Sequence, residues 1–324
     1  MRFTHIYVEE RAKDYPLTGE ILGKLPDANI INIKHFKDVF DRKRQNAALQ
    51  KEHQSLIIAV RDGNRIFKGA PVCQSFGQKN FYYASSMMNC PFDCEYCYLK
   101  GMYPSSNMVV FVNLADYEKD VLEKLKEGPM YVCASYDTDL LAMNSLTGHA
   151  DFWKDLARTH GDLLVELRTK AAVNIDENIP NVIYAFTLSP EEVVNRYERN
   201  TASVKARINA ASRTIGKGAR VRLCFDPVIR IHGWEDAYSR LIEETAAVID
   251  FSQLTDVSVG TFRISADYLN KMRKAYPGSE VAWYPYVIKD GVAQYEPDAD
   301  RQMQDMVCGM ISEHTGKEKI FTWN

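Results

Sequence analysis

The sequence predicts an α/β protein: a partial (β/α)6 TIM-like barrel with an N-terminal α/β extension and a C-terminal β-hairpin plus helix. Two observations predict it. Between residues 109 and 262 six short apolar runs recur, each separated from the next by a charged stretch of helical character. That is the alternation of βαβ units around a parallel sheet. After residue 265 the alternation stops and a hairpin pattern replaces it.

Residues 1–80 read as an α/β lead-in. Within it, 54–60 (QSLIIAV) is a buried-strand candidate and Asp62-Gly63 a turn after it. Residues 81–265 form the barrel. Its expected strands are 109–112, 130–133, 163–167, 182–188, 219–225 and 257–262, and its expected helices 116–126, 152–160, 190–197, 203–215 and 234–251. Such a sheet carries its chemistry at the C-terminal ends of its strands. In 266–324, EVAWYPYVI (280–288), Lys289-Asp290-Gly291 and 292–295 read as a hairpin with an Asp-Gly turn. A last helix is expected over 298–314. The three segments are expected to form one compact unit.

The 324 residues are 46% hydrophobic and 26% charged, ordinary for a soluble globular chain of this length. No run of about 18 apolar residues suggests a membrane span, and the N-terminus lacks an apolar signal core, so a cytoplasmic location is expected. The formal net charge of −3 gives no global basic field for nucleic acid, so any DNA contact must be local. Seven cysteines, an odd number, without an export signal argue for metal or radical chemistry rather than disulfides.

The densest cysteines are Cys90, Cys94 and Cys97, a C-x3-C-x2-C run in NCPFDCEYCY. Three thiolates this close can hold one face of a [4Fe–4S] cluster and leave one iron without a protein ligand. The amino and carboxylate groups of S-adenosylmethionine suit that iron, and an electron from the cluster can cleave the sulfonium to a 5′-deoxyadenosyl radical. Zinc is the first rival, but Cys133 is 36 residues on, with no H-x3–5-H nearby. Buried structural thiols are the second, and three in eight residues is dense for packing alone.

The C-x3-C-x2-C run followed by an aromatic resembles the radical S-adenosylmethionine superfamily, and the wider context resembles the spore photoproduct lyase family. The pieces that carry this are VEERAKDYPL, CPFDCEYCYL, VFVN, CAS, DLLAMNSLTG, RTK and TLSPEEVVNRYERNTASVKARINAA leading into IHGWEDAY. The resemblance implies a DNA repair lyase that reverts 5-thyminyl-5,6-dihydrothymine to two thymines, with the lesion flipped into the barrel mouth. It implies that Cys133 gives a hydrogen atom to the product radical and that Tyr96 and Tyr98 relay the radical back. It also implies that Ser135, Lys170 and Thr187 hold S-adenosylmethionine, with Tyr96 beside it. A buried apolar thiol is the plain alternative for Cys133, aromatic packing for the tyrosines, and an ordinary strand end for RTK. Further implied are an external electron donor such as flavodoxin or ferredoxin, and a monomer.

Some features stand apart. Cys73 is either a loop cysteine or a second thiol in the relay, while Cys224 and Cys308 read as core. Asp226 stands where the family usually has a small residue. The hairpin offers Trp283, Tyr284, Tyr286, Lys289 and Tyr295 but not the family's arginine. It could wedge a duplex or only cover the barrel mouth. Arg196, Arg199, Lys205, Arg207, Arg213, Lys217 and Arg220 form a basic stretch that is either a phosphate-binding face or a solvated helix face.

Overall fold

The computed structural model describes residues 3–69 and 73–322. Two sheets organise the chain. The first is five-stranded, in the order Asn29–Ile33, His5–Glu9, Leu56–Ala59, Met108–Phe111, Met87–Met88. All its pairs are parallel except the last. Its central strands LIIA and MVVF are buried at every position, as strands covered on both faces must be.

The second sheet is eight-stranded and curls into a half barrel: Ile320–Thr322, Asp256–Thr261, Arg220–Val228, Val182–Thr187, Leu163–Thr169, Met130–Cys133, Phe81–Ala84, Ile66–Lys68. Its pairs are parallel except the one joining the last two strands. Among the described residues the six expected parallel barrel strands therefore exist, with Ile320–Thr322 added as a seventh parallel strand at the edge, but the first of the six is not 109–112. Phe81–Ala84 takes that place, and 108–111 belongs to the other sheet. A continuous apolar run announces a doubly covered strand without saying which sheet covers it. The chain between the first two barrel strands makes an excursion through the first sheet, and the three clustered cysteines lie on the loop of that excursion.

The expected barrel helices occur as Leu114–Leu125, His149–Thr159, Glu191–Tyr197, Val204–Gly216 and Trp234–Ala246. The last ends five residues early, and Asp250 then caps a short 3-10 turn, Phe251–Gln253. Leu140–Thr147 and Ala266–Ala275 are helices the sequence did not suggest. LLAMNSLT is apolar on most of its faces and shows no amphipathic period, whereas ADYLNKMRKA buries only Leu269 and Met272.

At the C-terminus Val287–Lys289 and Val292–Gln294 pair as the expected hairpin, with Asp290 and Gly291 at positive φ in its turn. A third strand, Arg263–Ser265, completes this small sheet. Residues 280–283 are helical instead of extended, because Ser279 Oγ accepts from Ala282 N at 3.0 Å and starts a turn there. Helix Pro297–Ser312 buries Met303, Val307 and Ile311, one stripe at i, i+4, i+8, against the barrel edge. No helix among the described residues is long and apolar enough to cross a membrane.

Candidate functional site

A cavity of about 440 Å³ opens at the C-terminal ends of the barrel strands, where a parallel sheet leaves its crevice. Cys90, Cys94 and Cys97 form one wall, with Tyr96 and Tyr98 beside them. Ser135, Lys170 and Thr187 enter from the ends of three successive strands. Asp226 and the small C-terminal sheet close the far side.

The three thiols are free and enclosed, and burial pushes each of them up, Cys94 to about 12. Such thiols keep their protons until a metal displaces them. Among the described residues no group of three or more His, Cys, Asp or Glu converges as the ligands of one ion would. A cubane asks for something else, since each thiolate takes a separate iron at its own corner. The loop is held from outside: Lys51 Nζ and Gln54 Nε2 donate to Cys90 O at 2.6 and 3.2 Å, and Glu95 N bonds Tyr197 O at 2.7 Å.

The wall facing the thiols is polar. Among the described residues Ser135 Oγ and Thr138 Oγ1 are buried without a hydrogen-bond partner, hydroxyls that a bound ligand would satisfy. Asp139 caps helix Leu140–Thr147 through Ala142 N at 2.9 Å. It also accepts from Lys170 N at 2.8 Å and from Thr169 Oγ1, so one carboxylate fixes the ends of two strand–helix connections. The Lys170 ammonium meets Glu198 Oε1 at 2.7 Å and also bonds Tyr96 Oη, leaving one of its three donors for a ligand. Tyr96 Oη itself donates to Glu198. Glu198 further accepts from Ser189 Oγ at 2.8 Å and from Arg207 Nη2 at 2.6 Å. Burial would raise this carboxyl, but Lys170 and Arg207 outweigh that and hold it at about 2.

Cys133 does not line the main cavity. It lines an adjoining chamber of about 150 Å³ that shares Cys73, Tyr98, Ser135, Tyr136 and Arg168 with the main one. Its strand partners in register are Tyr83 and Glu166. The thiol points at Glu166 Oε1, 3.5 Å away, and burial together with that carboxylate pushes it well above its ordinary value. Glu166 stays ionised, at about 2, because Arg168 and Arg222 overcome its burial. Arg168 Nε bonds Glu166 at 3.1 Å and reaches Asp226 Oδ2 at 3.5 Å.

The two tyrosines diverge. Tyr96 belongs to the Lys170–Glu198 group, whereas Tyr98 Oη donates to Tyr136 O and its ring lies 5.6 Å from that of Tyr136. Tyr136 Oη is 3.5 Å from Cys73 Sγ, so Cys73 joins the chamber that holds Cys133. The sequence missed Glu166, Glu198, Asp139 and Tyr136. For Glu166 the available signal was an ionisable residue inside an apolar strand, LLVELRT.

Two of the DNA-facing expectations change. In the hairpin region Tyr295 is core, its ring packed with those of Tyr284 and Tyr286, while Trp283, Val287, Ile288 and Lys289 are exposed. The basic stretch is not one face. Arg207 is fully buried on Glu198, and Arg196 pairs with Glu280. Helix Val204–Gly216 runs back from the cavity end, so Lys217 and Arg220 lie at the opposite end of the barrel.

The model of the family described as spore photoproduct lyase matches residues 2–283 of the chain. A curated spore photoproduct lyase of Geobacillus sp. is 23% identical over 78% of this chain and 76% of its own length. That of Bacillus subtilis is 22% identical over 97% of this chain and 96% of its own. A solved structure of a spore photoproduct lyase double mutant with bound AdoMet and dinucleoside spore photoproduct superposes with a TM-score of 0.83 at 19% identity. The match covers 99% of this chain and 98% of that one.

Proposed function

Since this chain belongs to the spore photoproduct lyase family, we propose that it is a radical S-adenosylmethionine lyase that reverts the thymine dimer spore photoproduct in DNA to two thymines. The observation that supports this reading most is the meeting of three free thiols with Ser135, Lys170 and Thr187 in one cavity, with the Cys133 thiol in the next chamber. A [4Fe–4S] cluster with S-adenosylmethionine, when bound, would supply reductive radical chemistry able to take a hydrogen atom from the lesion.

The chain's own residues do the rest. Cys90, Cys94 and Cys97 would hold the cluster. Ser135 and Thr187 take hydroxyl or carboxylate oxygens of S-adenosylmethionine, and the remaining donor of Lys170 meets its carboxylate. Cys133 gives its sulfur-bound hydrogen atom to the product thyminyl radical. Tyr98, which lines the Cys133 chamber, returns the radical, while Tyr96, tied to Lys170 and Glu198, orients the cofactor side. An external donor such as a flavodoxin or ferredoxin supplies the electron, and the chain works as a monomer.

The test is anaerobic incubation of the reduced enzyme with a lesion-bearing dinucleotide, measuring thymine release. A brown protein with about four irons per chain that frees thymine is expected. A colourless, zinc-loaded protein would sink the reading. Cleavage of S-adenosylmethionine without thymine release would shift it to another lesion or small substrate, the reading that Asp226 in the cavity favours.

A further inference from the structure

The cysteine loop has two sides. Its inner side faces the main cavity, which S-adenosylmethionine and the lesion fill during turnover. Its outer side is covered by one short helix, Ala47–Glu52, and the loop before it. Cys90 and Cys97 line both the main cavity and a small crevice under this helix, whose other walls include Ala47 and Lys51. The helix is fastened directly to the loop. Besides Lys51 Nζ on Cys90 O, Gln50 Oε1 accepts from Ser105 Oγ at 3.0 Å and Ser106 N at 3.1 Å, and Ser106 Oγ donates to Ala47 O at 2.7 Å. One side chain therefore connects an outer helix to the backbone of a cluster cysteine.

The surface of this cover is unlike the rest of the chain. Residues 34–53 hold six lysines and arginines against three carboxylates, Asp38, Asp41 and Glu52, in a chain whose formal net charge is −3. Arg42, Lys43 and Arg44 are consecutive and exposed, and among the described residues none of them is in an ion pair. Lys34 and Lys37 are exposed on the same segment. Near this basic loop stands Leu49, 59% exposed on the covering helix. An apolar anchor with a charged surround is the composition of a transient docking patch, whose charges set the encounter rate and whose apolar contact sets orientation.

We propose that the surface formed by residues 34–53 docks an acidic, low-potential one-electron carrier protein and admits its electron to the cluster from the side opposite the substrate. This rests on the cluster reading above. In the transfer the carrier loses one electron and the cluster gains one, and no covalent bond forms or breaks. The inner side cannot serve while the cavity is filled. Complementary charge suits an acidic carrier, and Lys51 and the Cys90 carbonyl form the shortest bonded bridge inward that the contacts show.

The experiment compares the wild-type holoenzyme with the triple variant R42E/K43E/R44E, whose changes are all exposed and touch neither cavity. Bleaching of the cluster absorbance is followed by stopped flow with a purified acidic flavodoxin in its fully reduced form. Photoreduced deazaflavin, a small neutral reductant, serves in parallel. At low salt the variant should be reduced by flavodoxin about tenfold or more slowly, while deazaflavin reduces both proteins at equal rates. The wild-type rate with flavodoxin should fall as salt is added. Equal flavodoxin rates in the two proteins overturn the docking site and leave the cluster reading intact. Equal slowing with both reductants also overturns it, since the change then lies in the cluster and not in docking. A wild-type protein that deazaflavin cannot bleach holds no such cluster, and both readings fall together.

Discussion

Cys133 and Glu166 are neighbours in register across two parallel strands, and the pair explains how a thiol keeps its hydrogen beside the Arg168 guanidinium. A donor of hydrogen atoms must be S–H, and a thiolate has none to give. Burial and the Glu166 carboxylate both oppose ionisation, and they outweigh Arg168. Cys133→Ala should still cleave S-adenosylmethionine but fail to give two clean thymines, as product chromatography would show. Clean repair by that variant would reassign the donor, and Cys73 would be the next thiol to substitute. Glu166→Gln removes the opposing charge while Arg168 remains, so the thiol should ionise at lower pH. Each unit of that fall raises the thiolate fraction about tenfold. Iodoacetamide labelling of the Cys133 peptide at pH 9, read by mass spectrometry, should therefore accelerate. An unchanged labelling rate would mean that Glu166 does not govern the thiol.

At the scale of elements, buried charges fasten one strand or helix to the next. Asp139 joins the start of helix Leu140–Thr147 to the end of strand Leu163–Thr169. Asp139→Ala loses a cap, about 1–2 kcal/mol by helix-cap measure, and frees the backbone of Lys170. The expected result is a lower urea midpoint together with weaker S-adenosylmethionine binding by calorimetry. Full binding affinity would show that Lys170 is positioned by other contacts. Glu166 and Glu198 make a second, acid-sensitive set. Both have folded values near 2, below the ordinary 4.5, so the unfolded chain binds more protons than the folded one in that window. Their stabilisation is complete above about pH 4.5 and is lost as pH falls toward 2. Urea unfolding of the metal-free protein should show a midpoint that drops steeply across this interval. Glu166→Gln should flatten the drop, and should also cost stability at neutral pH by leaving Arg222 one carboxylate short.

For the whole molecule, the question is where DNA can lie. The cavity is at one end of the barrel, and the basic stretch along Val204–Gly216 runs away from it, so its charges cannot act as one patch. Arg199 and Lys205 are exposed at the cavity end, whereas Lys217 is at the far end. Replacing Arg199 or Lys205 by Ala should reduce the slope of log affinity for lesion-bearing duplex against log salt by about 0.9 per phosphate contact. Lys217→Ala should leave that slope unchanged. If Lys217 mattered equally, the duplex would have to follow the side of the barrel and not its mouth.

The sequence by itself marked out the three-cysteine loop, the βαβ rhythm, the five helices between barrel strands and the last helix, because these are local signals. Thiol spacing, apolar periods and an Asp-Gly turn are written within a few residues of one another. It also pointed to Ser135, Lys170 and Thr187, through short pieces that resemble a family, and all three line the cavity. What only the tertiary structure decided is which apolar run entered which sheet, and which ionisable groups faced each other. Strand 108–111 went to the first sheet and Phe81–Ala84 opened the barrel, since burial on both faces looks the same in any sheet. Glu166 met Cys133 across 33 positions, and Lys170 met Tyr96 across 74. Such partners are set by strand register and by loops returning to one end of a curled sheet, so their charges and hydrogen bonds exist only once the barrel has closed around them.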